Sequence, residues 1–106
     1  LVPDKVEVVT GQIQVKETFR ISRVGTIAGC LVVDGKVERS NQVRVIRDKV
    51  VIHTGRLENL KRFKDDAREV AEGFECGLKI AGFDDIRVGD TIQSFTIQEK
   101  PRKLES

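Results

Sequence analysis

Apolar and polar residues alternate over short runs of this chain, and each run stops at glycine, aspartate or another turn former after about ten residues or fewer. Alternation of period two puts successive side chains on opposite faces of extended backbone, so each run can bury one face as a strand. The apolar vocabulary agrees, with 15 Val and 9 Ile against 6 Leu, 4 Ala and no Met. β-Branched side chains suit pleated surfaces better than helices. A chain of 106 residues forms one domain and buries about two thirds of its unfolded surface around a single core, with no need of a staple. The expected fold is therefore all-β: a small closed antiparallel β-barrel of about six to eight strands, which hides its sheet edges. Residues 1–98 would form the barrel and residues 99–106 a polar, disordered tail.

Particular turns can be placed along the chain. Val9, Ile13 and Val15 share one parity while Val6 and Val8 share the other, so Thr10-Gly11 marks a bulge or switch of face. Asp34-Gly35 takes positive φ readily and predicts a hairpin between residues 26–33 and 36–39. Val43 and Val45 point inward with Arg44 outward, and Arg47-Asp48-Lys49 turns that strand back into Val50-Val51-Ile52-His53. Thr54-Gly55 is expected to break this second strand, and Asp65-Asp66 to close the basic segment that follows as a turn. Ala67, Val70, Ala71 and Phe74 fit a short strand or one helical turn. Leu78 and Ile80 alternate with Lys79 in another strand, residues 82–89 form a loop, and Ile92 lies opposite in parity to Phe95 and Ile97.

The formal net charge of +2 conceals a segregated distribution. Residues 1–35 are neutral overall, residues 36–64 carry nine basic and three acidic side chains, and residues 65–106 carry six basic and ten acidic. Such asymmetry marks either an electrostatic footprint or a solvated surface. No apolar run approaches the roughly 20 residues of a membrane-crossing helix, so a soluble protein is expected. Cys30 and Cys76 lie far apart outside any CxxC, which points to free thiols in a reducing, cytoplasmic compartment. Leu1-Val2-Pro3-Asp4 lacks an initiator Met, as an excised domain would.

Catalysis and metal binding find little support. His53 is the only histidine and reads as a packed or surface residue at a strand end. No Gly-x-Ser-x-Gly occurs, and Gly35-Lys36-Val37 breaks the spacing of a phosphate loop. Asp65-Asp66 and Asp84-Asp85 are adjacent carboxylates, whereas metal loops interleave their ligands, so they read as turn formers. Two constellations remain. In Lys61-Arg62-Phe63-Lys64, cations can meet phosphates while a ring stacks on a base or packs on an apolar ligand; the same residues also suit a solvated edge strand. In Gly73-Phe74-Glu75-Cys76-Gly77, small residues let a ligand approach the backbone, with Glu75 as acceptor and Cys76 as a soft wall; glycines also mark barrel corners.

Taken in order, Thr26-Ile27-Ala28-Gly29-Cys30, Gly35-Lys36-Val37, Leu60-Lys61-Arg62-Phe63-Lys64-Asp65-Asp66, Arg68-Glu69-Val70, Gly73-Phe74-Glu75-Cys76-Gly77 and Ile86-Arg87-Val88-Gly89-Asp90 resemble the C-terminal domain of bacterial translation initiation factor two. The resemblance covers nearly the whole chain. It implies a barrel similar to the second domain of translational GTPases, non-catalytic itself, that holds the formylmethionyl end of initiator tRNA. Carried over by motif, the site would comprise Cys30, Lys61, Arg62, Phe63, Lys64, Glu75, Cys76 and Gly77. The family further implies GTP and magnesium in another domain of the intact factor, contact with the ribosome through that factor, and a monomer without membrane association. Many members have Tyr where Phe63 and Phe74 stand, so stacking and shape must act here without a phenolic hydroxyl. Formylation turns the α-ammonium of methionine into a neutral amide, which is cheaper to place in a partly dry pocket; Lys61, Arg62 and Lys64 would repel the uncapped amine and attract phosphates. Rival readings are a protein-docking barrel, with its basic segment facing an acidic partner, and a general single-strand RNA binder.

Overall fold

A computed structural model of the chain describes residues 4–100. Its first strand, β1 (Asp4–Ile21), is 18 residues long, and the molecule is elongated, with a longest dimension of 57 Å. The others are β2 (Gly25–Glu38), β3 (Gln42–Arg47), β4 (Val50–Arg62), β5 (Asp65–Asp66), β6 (Glu69–Ala71), β7 (Glu75–Ile80) and β8 (Thr91–Lys100). Six of them close a ring in the order β1, β8, β3, β4, β7, β2 and back to β1, while β5 adds to β4 and β6 to β2. Every pairing is antiparallel. The all-β barrel expected from alternation and β-branched composition is thus the observed fold. No helix occurs among the described residues.

Inward-facing Ile13, Val32, Val43, Val45, Ile80 and Ile92 are fully buried inside the ring. Burying each such side chain contributes about 1.5–3 kcal/mol relative to leaving it in water. The turn at Asp48-Lys49 is as expected, both residues at positive φ, and the short strand β6 and the loop before β8 are present. β8 runs to Lys100, two residues past the expected end of the barrel at residue 98; residues 101–106 lie outside the described residues.

Several local expectations are corrected. The β1–β2 hairpin turns at residues 22–24, where Val24 N–H donates to the Ile21 carbonyl at 3.1 Å, and β2 runs straight through Asp34-Gly35. Gly35 does take positive φ, 66°, but uses it to bend β2 away from β1 and onto β6. At that crossing Gly11 and Gly35 are paired, and a Cβ on either would collide with the backbone of Lys36 or Thr10. Thr54-Gly55 does not break β4. A Cβ at Gly55 would sit 2.9 Å from His53 Nε2, so the glycine makes room for the imidazole, which stacks on Phe83 with centroids 4.5 Å apart.

The switch of face at Thr10-Gly11 is real, as a register shift between Val9 and Gly11, but it leaves Val9 exposed and not in line with Ile13 and Val15. Opposite it, Ile92 and Phe95 are both buried despite their opposite parity, and Ile97 is exposed. Lys79 is buried too, its ammonium 2.9 Å from Glu58 Oε2. Finally, Asp65-Asp66 is not the turn: it pairs back onto Lys61 and Arg62 as β5, and the chain reverses at Phe63-Lys64 with Phe63 at φ 58°.

Candidate functional site

The strand register assembles the site. Glu17 on β1 pairs with Gly29 on β2, Gly29 with Gly77 on β7, and Gly77 with Lys61 on β4. Residues directly opposite across strands share a face, so this row puts two charged side chains on one face with two glycines between them. The glycines leave the sheet bare, and the result is a groove of about 410 Å³. Five of the eight expected residues line it: Cys30, Phe63, Glu75, Cys76 and Gly77.

Cys30 and Cys76 are cross-strand partners, buried and unbonded. Burial pushes both thiols up, Cys76 to about 11 although the Arg62 charge pulls the other way, and Cys30 further, with Cys76 adding to the rise. Both therefore stay un-ionised at neutral pH and are not nucleophiles. Their side chains take the inward parity of β2 and β7 and pack in the barrel core, so Cys76 backs the groove from within and is not the soft wall expected. His53, packed on Phe83, does not line the groove.

Phe63 is 90% exposed. Bulky residues rarely occupy left-handed backbone, yet the two-residue turn between β4 and β5 forces it there and projects the ring over the groove. Arg62 sits behind it, its guanidinium 5.1 Å from the Phe63 centroid and 4.5 Å from that of Phe74, a brace between two rings. Lys61 lies outside this groove and lines a neighbouring one of about 350 Å³ that shares Phe63 and Gly77 and adds Ile21, Val24 and Ile27. Phe63 is thus a wall common to both. Lys64 lines neither and stands exposed at the turn.

Sequence reasoning missed Lys16, Glu17, Phe19 and Gly29, which complete the first groove. Their signal was the hairpin itself: a turn at residues 22–24 pairs Glu17 with Gly29 by counting back along both strands, whereas a turn at Asp34-Gly35 hides β1 altogether. A bulge between Val15 and Glu17 leaves Lys16 as the extra residue. No group of three or more His, Cys, Asp or Glu among the described residues is arranged to hold a metal ion.

A family model described as elongation factor Tu domain 2 matches residues 25–93. The chain belongs to the elongation factor Tu domain 2 family. It is also similar to proteins named translation initiation factor IF-2: 60% identical over 105 residues to that of Carboxydothermus hydrogenoformans and 56% over 104 residues to that of Flavobacterium psychrophilum. These alignments cover 99% and 98% of the chain but 13% and 11% of the relatives, so the chain spans about an eighth of their length. The crystal structure of GDP-bound aIF5B from Aeropyrum pernix shares the fold, with a TM-score of 0.65 and 18% identity over 84% of this chain and 17% of that one. Membership of the domain 2 family agrees with the six-strand ring.

Proposed function

We propose that this domain serves translation initiation by holding the formylmethionyl 3′ end of initiator tRNA, as the C-terminal, non-catalytic domain of a larger initiation GTPase whose GTP and magnesium bind elsewhere. The observation that carries this is the convergence of residues from β2, the β4–β5 turn and β7 on one groove floored by the bare backbone of Gly29 and Gly77. Bare glycine backbone between the rings of Phe19 and Phe63 is a suitable surface for a thioether side chain and a neutral amide. The adjoining groove, with Lys61 and the other side of Phe63, offers a cation and a stacking surface for the terminal nucleotide.

The geometry modifies the basis of selectivity. The charged side chains lining the first groove are Lys16, Glu17 and Glu75, so a ring of repelling cations does not surround the amino group. Discrimination falls to desolvation: an α-ammonium over the bare backbone of Gly29 and Gly77 would lose hydration without gaining a counter-ion at the floor. Glu17 and Glu75 would work against that preference from the rim. The test is the affinity of the chain for formylated and unformylated methionyl initiator tRNA. Tighter binding of the formylated form is expected, and equal binding would refute the assignment; a homopolymer RNA competing as well as the tRNA would favour a general RNA binder instead.

A further inference from the structure

We propose that Arg39 and Arg68 form a second, phosphate-binding site for the same RNA whose aminoacyl end occupies the Phe63 groove, an inference that rests on the function proposed above. The two arginines are 29 positions apart in sequence but are brought together where the β2–β3 turn meets the segment after β5: Arg39 N–H donates to the Arg68 carbonyl at 2.8 Å. With Ser40 and Leu57 they line a recess of about 300 Å³.

Both side chains are exposed, and neither is in an ion pair among the described residues. The nearest carboxylates, Glu38 and Glu69, line an adjoining recess with Ser40 and Arg68, but they and Glu58 are paired with lysines. Lys36 holds Glu38 at 2.9 Å and Glu69 at 3.3 Å, and the buried Lys79 ammonium holds Glu58. The fold thus leaves two guanidiniums, the side chains best shaped to grip a phosphate, beside a hydroxyl. Arg39 also reaches β4, its Nη2 donating to the Glu58 carbonyl at 3.2 Å. Glu58 is four residues before Arg62, so the recess lies roughly 13 Å along β4 from the groove. At about 3.4 Å per nucleotide in a stacked strand, that is the reach of the first few phosphates behind the terminal residue.

The test pairs two probes, formylmethionyl initiator tRNA and a short formylmethionyl-adenosine fragment, against the unaltered chain and the double variant Arg39→Gln, Arg68→Gln. The variant should bind the tRNA about tenfold more weakly, with the slope of log affinity against log salt shallower by about 1.4, and should bind the fragment as before. Retained fragment binding also certifies the fold. Should loss of the Arg39 hydrogen bond unfold the double variant, Arg68→Gln alone decides, with about half the change in slope. Unchanged tRNA affinity and salt slope, or an equal loss for both probes, would overturn this inference alone. An unaltered chain that binds neither probe would overturn the proposed function and this site with it.

Discussion

Two glycine-bearing regions of this barrel do opposite jobs. Where β1 crosses β2, Gly11 and Gly35 touch backbone on both sides, and the space for any side chain is already filled. Where β7 runs under Phe63, Gly77 has only Ile27 Cγ2 near its missing Cβ, at 3.8 Å, and the space above it is the groove. The first pair of strands is held together by the lack of a side chain; the second region is kept empty by it. Packing against fixed backbone makes a structural glycine, while a glycine facing solvent-filled volume leaves room for a ligand.

The largest effect should come from the crossing. Gly11→Ala, with its methyl directed at Lys36 backbone that cannot rotate away, should destabilise the chain by about 3 kcal/mol or more, measured as the midpoint of urea unfolding. A variant as stable as the original would show that the two strands are free to part there, and the contrast would collapse.

A second effect concerns what holds the loop after β7 against the ring. The Asp90 side chain, 4% exposed, accepts from Arg47 Nε and Nη2 at 2.9 and 2.8 Å and from the Arg87 N–H at 2.9 Å. Burial alone would raise its pKa, but these donors outweigh it and hold the carboxyl below its ordinary value. A carboxyl depressed in the folded state contributes stability above its unfolded pKa of about 3.9 and loses it as the pH falls through the folded value. Asp90→Asn should therefore cost about 2 kcal/mol at pH 7, and its stability should decline less than that of the unaltered chain from about pH 5 downward. Parallel pH profiles would show that Asp90 is not the group responsible.

Phe63 and Gly77 sharpen the comparison from the other side. Phe63→Gly relieves a left-handed backbone and removes a ring that is almost wholly in water, so stability should rise by about 0.5–1 kcal/mol. Binding of formylmethionyl tRNA should fall by more than about tenfold, the scale of one lost stacking partner. Stability and binding changing in the same direction would contradict a functional role for the strain. Gly77→Ala should leave the unfolding midpoint within about 0.5 kcal/mol and weaken binding by roughly tenfold, about 1.4 kcal/mol, as its methyl enters the groove. Calorimetric titration checks both, and unchanged binding by the Gly77 variant would move the ligand elsewhere.

How much could be foreseen differs between fold and site. Val43 and Val45, with the Asp48-Lys49 turn behind them, carry local information strong enough to place a hairpin unaided. Asp34-Gly35 carries an equally strong turn signal that is overridden, because what φ 66° serves there is a crossing with Gly11, 24 residues away in the chain. Arg62 and Phe74 look like separate motif members until the rings and guanidinium meet. Lys64 looks equivalent to Lys61, yet the two-residue turn points it away from both grooves.

Local residue choice by itself determined the class of structure and the parts of the candidate site. Alternating β-branched residues can bury one face only as strands, and the small, sulfur-bearing and basic segments are visible as segments. Register alone decided which of these parts meet. It set Glu17 and Lys61 at the ends of a row with Gly29 and Gly77 between them, and it brought Arg39 beside Arg68. Each strand's alternation says which face a side chain takes, but not which residue lies across from it; that is settled when the ring closes and every strand must satisfy two neighbours at once.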